Sequence, residues 1–164
     1  VAPTQSAVIS LSPAFITPQD GHAKQDCEQA AAKRWMGAHQ SMASARSVTL
    51  LGDDLFSRQP MCEEAIDNGF NYIFVCLPES HPALYDWIAF NTANGKVKTV
   101  ERTVSNGKTD EIWHYRYLND VPLRAEEPSL SVNWCELTVT RKSDGHRLYC
   151  NSWVTNHVHH GISS

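Results

Sequence analysis

The amino-acid sequence predicts an α/β half followed by a mostly antiparallel β half. In the first half, a helix-like segment at 57–69 is flanked by two short apolar runs, VTLLG at 48–52 and FNYIFVCL at 70–77. Short apolar runs bounded by turn residues are typical of buried parallel strands. A strand, a helix and a strand within about 30 residues form a βαβ unit, whose crossover is expected to be right-handed.

The second half alternates apolar and polar residues, which is typical of antiparallel strands. Asn106-Gly107 and Asp144-Gly145 are strong hairpin-turn signals, because these residue types adopt positive φ more readily than others. A loop is predicted at 119–128. The strands themselves are predicted at 96–104, 109–118, 130–141 and 147–155.

The change of pattern places a boundary near residues 92–96. We predict an α/β part at 1–95 and a β-rich part at 96–164 that ends in a frayed C-terminal tail. Within the α/β part, apolar alternation predicts a strand at 6–15. A composition rich in Ala, Gln, Glu and Lys predicts a helix at 22–39.

Two prolines indicate where further helices begin. Pro60 suits the first turn of the helix at 57–69, and Pro82 suits the first turn of a short helix at 80–91, because the first helical residues need no N–H partner within the helix. Residues 40–47 are mostly polar and are predicted to form a link between elements.

Composition limits the classes of function. The 164 residues are 41% hydrophobic, enough for a folded core, and the formal net charge of −4 differs from the basic charge typical of free-standing nucleic-acid binders. The five cysteines form no CxxC pair, so we predict reduced thiols rather than a zinc ribbon or a disulfide framework. No apolar run approaches the roughly 18 residues of a membrane span, and no signal peptide is recognised. We therefore expect a cytoplasmic protein without a membrane partner.

Two adjacent carboxylates, Asp53 and Asp54, follow the first strand of the βαβ unit. In an open α/β sheet, functional groups gather at the carboxyl ends of the strands. Mg²⁺ prefers hard oxygen ligands, and two such ions held by carboxylates support phosphodiester chemistry. The same pair of residues could instead cap the next helix or lie in a solvated turn, and the residues alone leave both interpretations open.

Four segments spread along nearly the whole chain resemble the DDE-type transposases of bacterial insertion sequences, in the group often filed as ISNCY. They are PQDGHAKQDCEQAAAKRW at 18–35, LLGDDLFSRQPMCEEAIDNGFNYIFVCLPESHPALYDWI at 50–88, VNWCELTVT at 132–140 and NSWVTN at 151–156. Those transposases have a ribonuclease-H-like catalytic core with a β-rich insertion between the second catalytic Asp and the catalytic Glu. The resemblance therefore implies a partial ribonuclease-H-like core at 1–95 and the β insertion at 96–164.

The resemblance also implies a role for Asp53. The family pattern D-x-x-[FY] falls on Asp53 to Phe56, which makes Asp53 the second catalytic Asp and a ligand of Mg²⁺ or Mn²⁺. Asp54 is then either an accessory carboxylate or the cap of the next helix, and we expect the cap. The first Asp of the family lies on a strand upstream of anything that matches here, and the Glu lies on a helix beyond NSWVTN. We therefore expect one catalytic carboxylate of three, and no strand cleavage by this chain alone.

In the β-rich part, aromatic residues are interleaved with basic residues. The aromatic residues are Trp113, Tyr115, Tyr117, Trp134 and Trp153. Cationic groups hold DNA phosphates and aromatic rings stack on exposed bases, so this part is predicted to contact transposon-end DNA. The alternative is a sheet with aromatic residues inward and charges outward. The basic residues predicted to bind DNA are Lys96, Lys98, Arg102, Lys108 and Arg116.

Two other functions remain open at the level of sequence. The chain could be a non-catalytic DNA-binding or interaction module derived from a transposase, which forms a homodimer or pairs with an intact transposase. It could also be a complete small hydrolase with Asp53, Asp54 and Glu136 as its acids, although Glu136 is predicted to be a strand residue of the insertion. The cluster of His157, His159 and His160 is interpreted as part of the solvated tail rather than as a metal site.

Overall fold

A computed structural model describes residues 10–16, 28–46, 48–105 and 107–158. It contains four helices and six strands, and the strands form one mixed, mostly antiparallel sheet. In chain order the elements are α1 (Glu28–Ala38), α2 (Gln40–Arg46), β1 (Thr49–Gly52), α3 (Gln59–Asp67), β2 (Asn71–Val75), α4 (Pro82–Ala93), β3 (Lys98–Ser105), β4 (Asp110–Pro122), β5 (Ser131–Arg141) and β6 (Arg147–Thr155).

The predicted βαβ unit is confirmed. Strands β1 and β2 are parallel neighbours, with Thr49 opposite Asn71 and Gly52 opposite Phe74, and α3 connects them. Pro60 lies in the first turn of α3, as its missing N–H predicts. The chain leaves this helix through Gly69, whose φ of 81° is a conformation that glycine adopts without steric cost.

The predicted antiparallel hairpins are also confirmed, as β3 with β4 and β5 with β6. Strand β4 extends to Pro122, so the loop predicted at 119–128 begins too early. Pairing resumes where Val121 faces Val132, after an irregularity in which Asp120 has a φ of 57° and donates its N–H to Asn133 Oδ1 at 3.0 Å. A polar side chain on β5 thus replaces the missing backbone partner.

One sheet runs through both halves of the chain. Its strand order is β1-β2-β6-β5-β4-β3, and β6 pairs with β2 through Ile73 opposite Thr155 and Val75 opposite Trp153. The boundary predicted near 92–96 falls where α4 ends and the chain enters β3. The first two strands and the last four therefore share one continuous hydrogen-bonded ladder.

Over the residues that the structure describes, two predictions for the first 47 residues differ from what is observed. The link predicted at 40–47 contains the helix α2, because Ala43 can be buried in the core, with Met42 partly buried against it. In the strand predicted at 6–15, the described residues 10–15 form no regular element, and residues 6–9 lie outside the described ranges. The helix predicted at 22–39 is observed as α1, and residues 22–27 likewise lie outside those ranges.

The four helices cover one face of the sheet. The core joins Tyr72, Phe74, Trp134 and Val154 of the strands to apolar side chains from every helix, such as Met36, Ala43, Met61 and Leu84. Successive side chains of a strand point to opposite faces, so the intervening residues lie on a second face that no described helix covers. We call this second face the open face. Its main residues are Leu51, Ile73, Val75, Lys98, Val100, Arg102, Glu111, Trp113, Tyr115, Tyr117, Cys135, Leu137, Val139, Tyr149 and Trp153.

None of the helices described is both long and apolar enough to cross a membrane.

Candidate functional site

Asp53 lies where strand β1 ends, at the carboxyl edge of the parallel pair. Its side chain is exposed, and Oδ1 accepts the backbone N–H of Leu55 at 3.0 Å. The carbonyl of Asp53 accepts the N–H of Phe56 at 3.1 Å, which closes a tight turn. The carboxylate is therefore held by its own turn and faces solvent at the place where α/β sheets bind ligands.

The residue before this turn has no room for a side chain. A Cβ at Gly52 would lie 2.8 Å from the ring of Phe74 and 3.0 Å from Cβ of Phe56. The rings of Phe56 and Phe74 are 5.9 Å apart and close over the end of β1. Glycine therefore allows the turn that carries Asp53 to approach β2 closely.

Asp54 does not cap α3, so that prediction is wrong. The residue at the N-terminal boundary of α3 is Arg58, and no side chain accepts a capping hydrogen bond there. Instead, Asp54 accepts the N–H of Leu77 at 2.8 Å through Oδ1 and the hydroxyl of Ser80 through Oδ2. Parallel strands end at the same edge, so the loops that follow β1 and β2 are neighbours and one carboxylate can tie them together.

A second pair of side chains joins the same two loops. The Ser57 hydroxyl lies 2.7 Å from Nε2 of His81 and 2.8 Å from the carbonyl of Asp54. Burial, and next the nearby charge of Arg58, lower the pKa of His81. Ser57 is fully buried, so this Ser-His pair is a structural bond and no substrate reaches the hydroxyl. No sequence signal indicated the pair, because its members lie 24 positions apart and meet only across the two loops.

The described residues do not assemble a metal site around Asp53. Within them, no group of three or more His, Cys, Asp and Glu side chains could hold an ion. Glu136 lies on β5, three strands away from β1, which at about 4.8 Å per strand is about 14 Å. It forms an ion pair with Arg116 at 3.1 Å. A small hydrolase with Asp53, Asp54 and Glu136 as one shared set of acids is therefore the wrong interpretation.

The histidines predicted to lie in the solvated tail divide into two groups. His157 is exposed, and its Nε2 lies 3.0 Å from the hydroxyl of Thr49 at the start of β1. Its backbone carbonyl accepts Nδ2 of Asn133 at 2.9 Å. His159 and His160 lie outside the described residues.

The basic residues predicted to bind DNA do not share one surface. Lys98 and Arg102 lie on the open face, opposite Tyr117 and Trp113 in the antiparallel register. Lys96 precedes β3, and Lys108 lies in the turn between β3 and β4.

Arg116 lies on the helix-covered face, away from Lys98 and Arg102. Its guanidinium binds Glu136 at 3.1 Å and Thr92 Oγ1 at 2.9 Å, and its carbon lies 5.5 Å from the ring of Trp134. Of the aromatic residues, Trp134 points into the core, whereas Trp113, Tyr115, Tyr117 and Trp153 lie on the open face. The alternative of aromatic residues inward and charges outward therefore holds for Trp134 alone among these five.

No protein-family model matches the sequence, and no curated protein matches it.

Proposed function

We propose that this chain is the central part of a DDE transposase of the insertion-sequence type, in which a partial ribonuclease-H-like core is followed by a β insertion. One observation supports the proposal most. Asp53 is exposed at the carboxyl end of a parallel strand, directly after Gly52 and before a crossover helix, which is where the resemblance expects the second catalytic Asp. The proposed activity is metal-dependent strand cleavage and transfer in DNA transposition.

The edge position of β1 supports the same assignment. In the sheet described, β1 pairs only with β2, so its other side presents backbone donors and acceptors to a further strand. The family carries its first catalytic Asp on an opening core strand. A strand added to this edge would bring a second carboxylate close to Asp53.

The role of Asp53 in such a site is that of a single ligand. Mg²⁺ or Mn²⁺ bound by three carboxylates activates a water or a 3′-hydroxyl and stabilises the leaving oxygen. Asp53 contributes one of these carboxylates, its turn holds the side chain outward, and Asp54 keeps the turn attached to the loop after β2. We therefore expect the 164-residue chain to require carboxylates from elsewhere, in a longer chain or an intact transposase partner, before it cleaves DNA.

A second candidate function is a non-catalytic DNA-binding or interaction module. The observation that favours it is the pairing of Lys98 and Arg102 with aromatic residues on the open face, because this surface is independent of Asp53. DNA affinity that falls with salt and survives Asp53→Ala would support this module.

The decisive test combines gene context with one substitution. Translation of the flanking DNA in all frames should reveal an upstream strand that carries an Asp and a downstream helix that carries a Glu. The longer chain should nick element-end DNA with Mg²⁺, and Asp53→Asn should reduce the rate by at least about 100-fold, because a catalytic carboxylate ligand is lost. The control Asp67→Asn, an exposed acid at the end of α3, should keep the rate.

Two results would contradict the proposal. Flanking DNA that encodes neither acid would remove the assignment to the family. Metal-dependent nicking by the 164-residue chain, lost in Asp53→Ala, would show that the site is complete without outside carboxylates.

A further inference from the structure

Three rows of side chains run side by side on the open face at its β3–β4 end. The antiparallel register places Lys98 opposite Tyr117, Val100 opposite Tyr115 and Arg102 opposite Trp113. Strand β3 is the edge of the sheet, so its two cations form the outermost row and the rings of β4 form the next. The third row, on β5, is apolar and consists of Cys135, Leu137 and Val139.

The two cations of the outer row have no acidic partner among the described residues. The resolved ion pairs within 4.0 Å involve other bases, and the Lys98 ammonium instead lies 6.0 Å from the centre of the Tyr117 ring. The acid of this surface, Glu111, accepts Nε1 of Trp113 at 2.9 Å and faces Arg141 across the strands. The positive charge at the edge is thus left for a partner, and the partner that it fits is a polyanion.

The rings decide which polyanion fits. The three rings, at Trp113, Tyr115 and Tyr117, occupy alternate positions of strand β4 and are half-buried. The ring centres of Trp113 and Tyr115 are 6.3 Å apart. Aromatic side chains of this kind stack on nucleobases whose faces are free, and the bases of a duplex are already stacked on one another. A polyanion that offers only phosphates would contact the two cations and make no contact with the rings.

We propose that the β3–β4 part of the open face binds single-stranded DNA. The backbone lies along the edge, with phosphates at Lys98 and Arg102, which are about 13 Å apart along the strand at about 3.3 Å per residue. The bases turn inward onto Trp113, Tyr115 and Tyr117. This site deepens the proposed function and rests on it for its biological substrate, which is the DNA of the element ends whose strands are cleaved and transferred.

The test measures the affinity of the 164-residue chain for a labelled oligo-dT of roughly 12 nucleotides, within the usual size range of such sites, and for a hairpin duplex of the same length. We expect the single strand to bind at least about tenfold tighter than the duplex, since only the single strand can stack on the rings. Trp113→Ala and Tyr115→Ala should each weaken oligo-dT binding by about 5- to 100-fold. The affinity should fall with salt, and the double variant Lys98→Gln/Arg102→Gln should reduce the steepness of this fall. The slope of log affinity against log salt should become less negative by about 1.4, or about 0.7 for each phosphate contact.

Matched controls come from the helix-covered side. Trp87 of α4 is 45% exposed, and Lys33 of α1 forms an ion pair with Glu64, so Trp87→Ala and Lys33→Gln remove a comparable ring and charge elsewhere. Neither should change oligo-dT affinity by more than about twofold. If Trp113→Ala melts below the assay temperature, Tyr115→Leu removes a ring while it keeps an apolar side chain.

Equal affinity for the duplex and the single strand, or an equal loss in Trp87→Ala, would overturn the site. The outcomes also separate this inference from the proposed function. If a longer chain does not bind oligo-dT but its cleavage activity still depends on Asp53, the single-strand site alone is overturned. Selective binding by a chain whose flanking DNA encodes no further catalytic acid supports the site and overturns the transposase assignment.

Discussion

The two faces of the sheet use the same residue types for opposite purposes. On the covered face, Arg116 lies over Trp134 and is neutralised by Glu136, and Trp134 is fully buried. On the open face, Arg102 is opposite Trp113 without an acidic partner in the described part of the chain. An arginine beside a tryptophan is therefore a structural contact where helices cover the sheet, and a candidate binding contact where they do not.

The largest difference between the faces should appear in stability. Trp134→Ala removes a fully buried indole and should lower the free energy of unfolding by about 3–5 kcal/mol. Trp113→Ala on the open face, where this side chain is half-buried, should lower the free energy of unfolding by less than about 1.5 kcal/mol, because less apolar area returns to water. Urea denaturation of both variants measures the difference, and equal losses would mean that the open face is covered in solution.

The two arginines give a smaller contrast of the same kind. Arg116→Gln leaves the Glu136 carboxylate, whose side chain is only 18% exposed, without its ion pair and should cost about 1 kcal/mol after solvent screening. Arg102→Gln should change the free energy of unfolding by less than about 0.5 kcal/mol, as usual for a surface position. A larger loss for Arg102→Gln than for Arg116→Gln would reverse the assignment of the faces. Chemical denaturation in low salt measures both values.

The smallest expected effect is a pH dependence at the loops beside Asp53. Burial holds the folded-state pKa of His81 below its unfolded value of about 6.5, so above that pH both states are neutral and His81 contributes nothing to the slope. Below about pH 6.5 the unfolded state binds a proton that the folded state resists, so the free energy of unfolding should fall as the pH decreases.

His81→Gln should make stability depend less on pH below about pH 6.5. The measurement is the melting temperature of both proteins between pH 7.5 and pH 5. An unaltered slope in His81→Gln would place the pH dependence on groups other than His81.

Several features of the site could be predicted from local patterns. Gly52 and Asp53 follow an apolar run, and the parallel β1–α3–β2 unit that this run predicts is observed. Strand alternation also contained a signal that was missed. Arg116 lies between Tyr115 and Tyr117 on one strand, so it had to point away from both rings and from Lys98 and Arg102.

Other features had no local signal. The contacts of Asp54 with Leu77 and Ser80, and of Ser57 with His81, join residues more than 20 positions apart. They exist because two parallel strands end at one edge and bring their loops together. The helix α2 was missed because its short sequence is polar on most sides and is held by the burial of Ala43 in the core.

The sequence by itself determined the elements whose signals are local: the βαβ unit, the two hairpins with glycine turns, and an aspartate at the exit of β1. The tertiary structure decided which residues meet. It placed β6 against β2, which joined the two halves into one sheet, and it put all four helices on one face. The helices pack on the face of the sheet that buries more apolar surface. This buried area is summed over residues that are far apart in the chain. Strand alternation separates Arg116 from Arg102, but which of the two lies on the open face could be recognised only in the folded molecule.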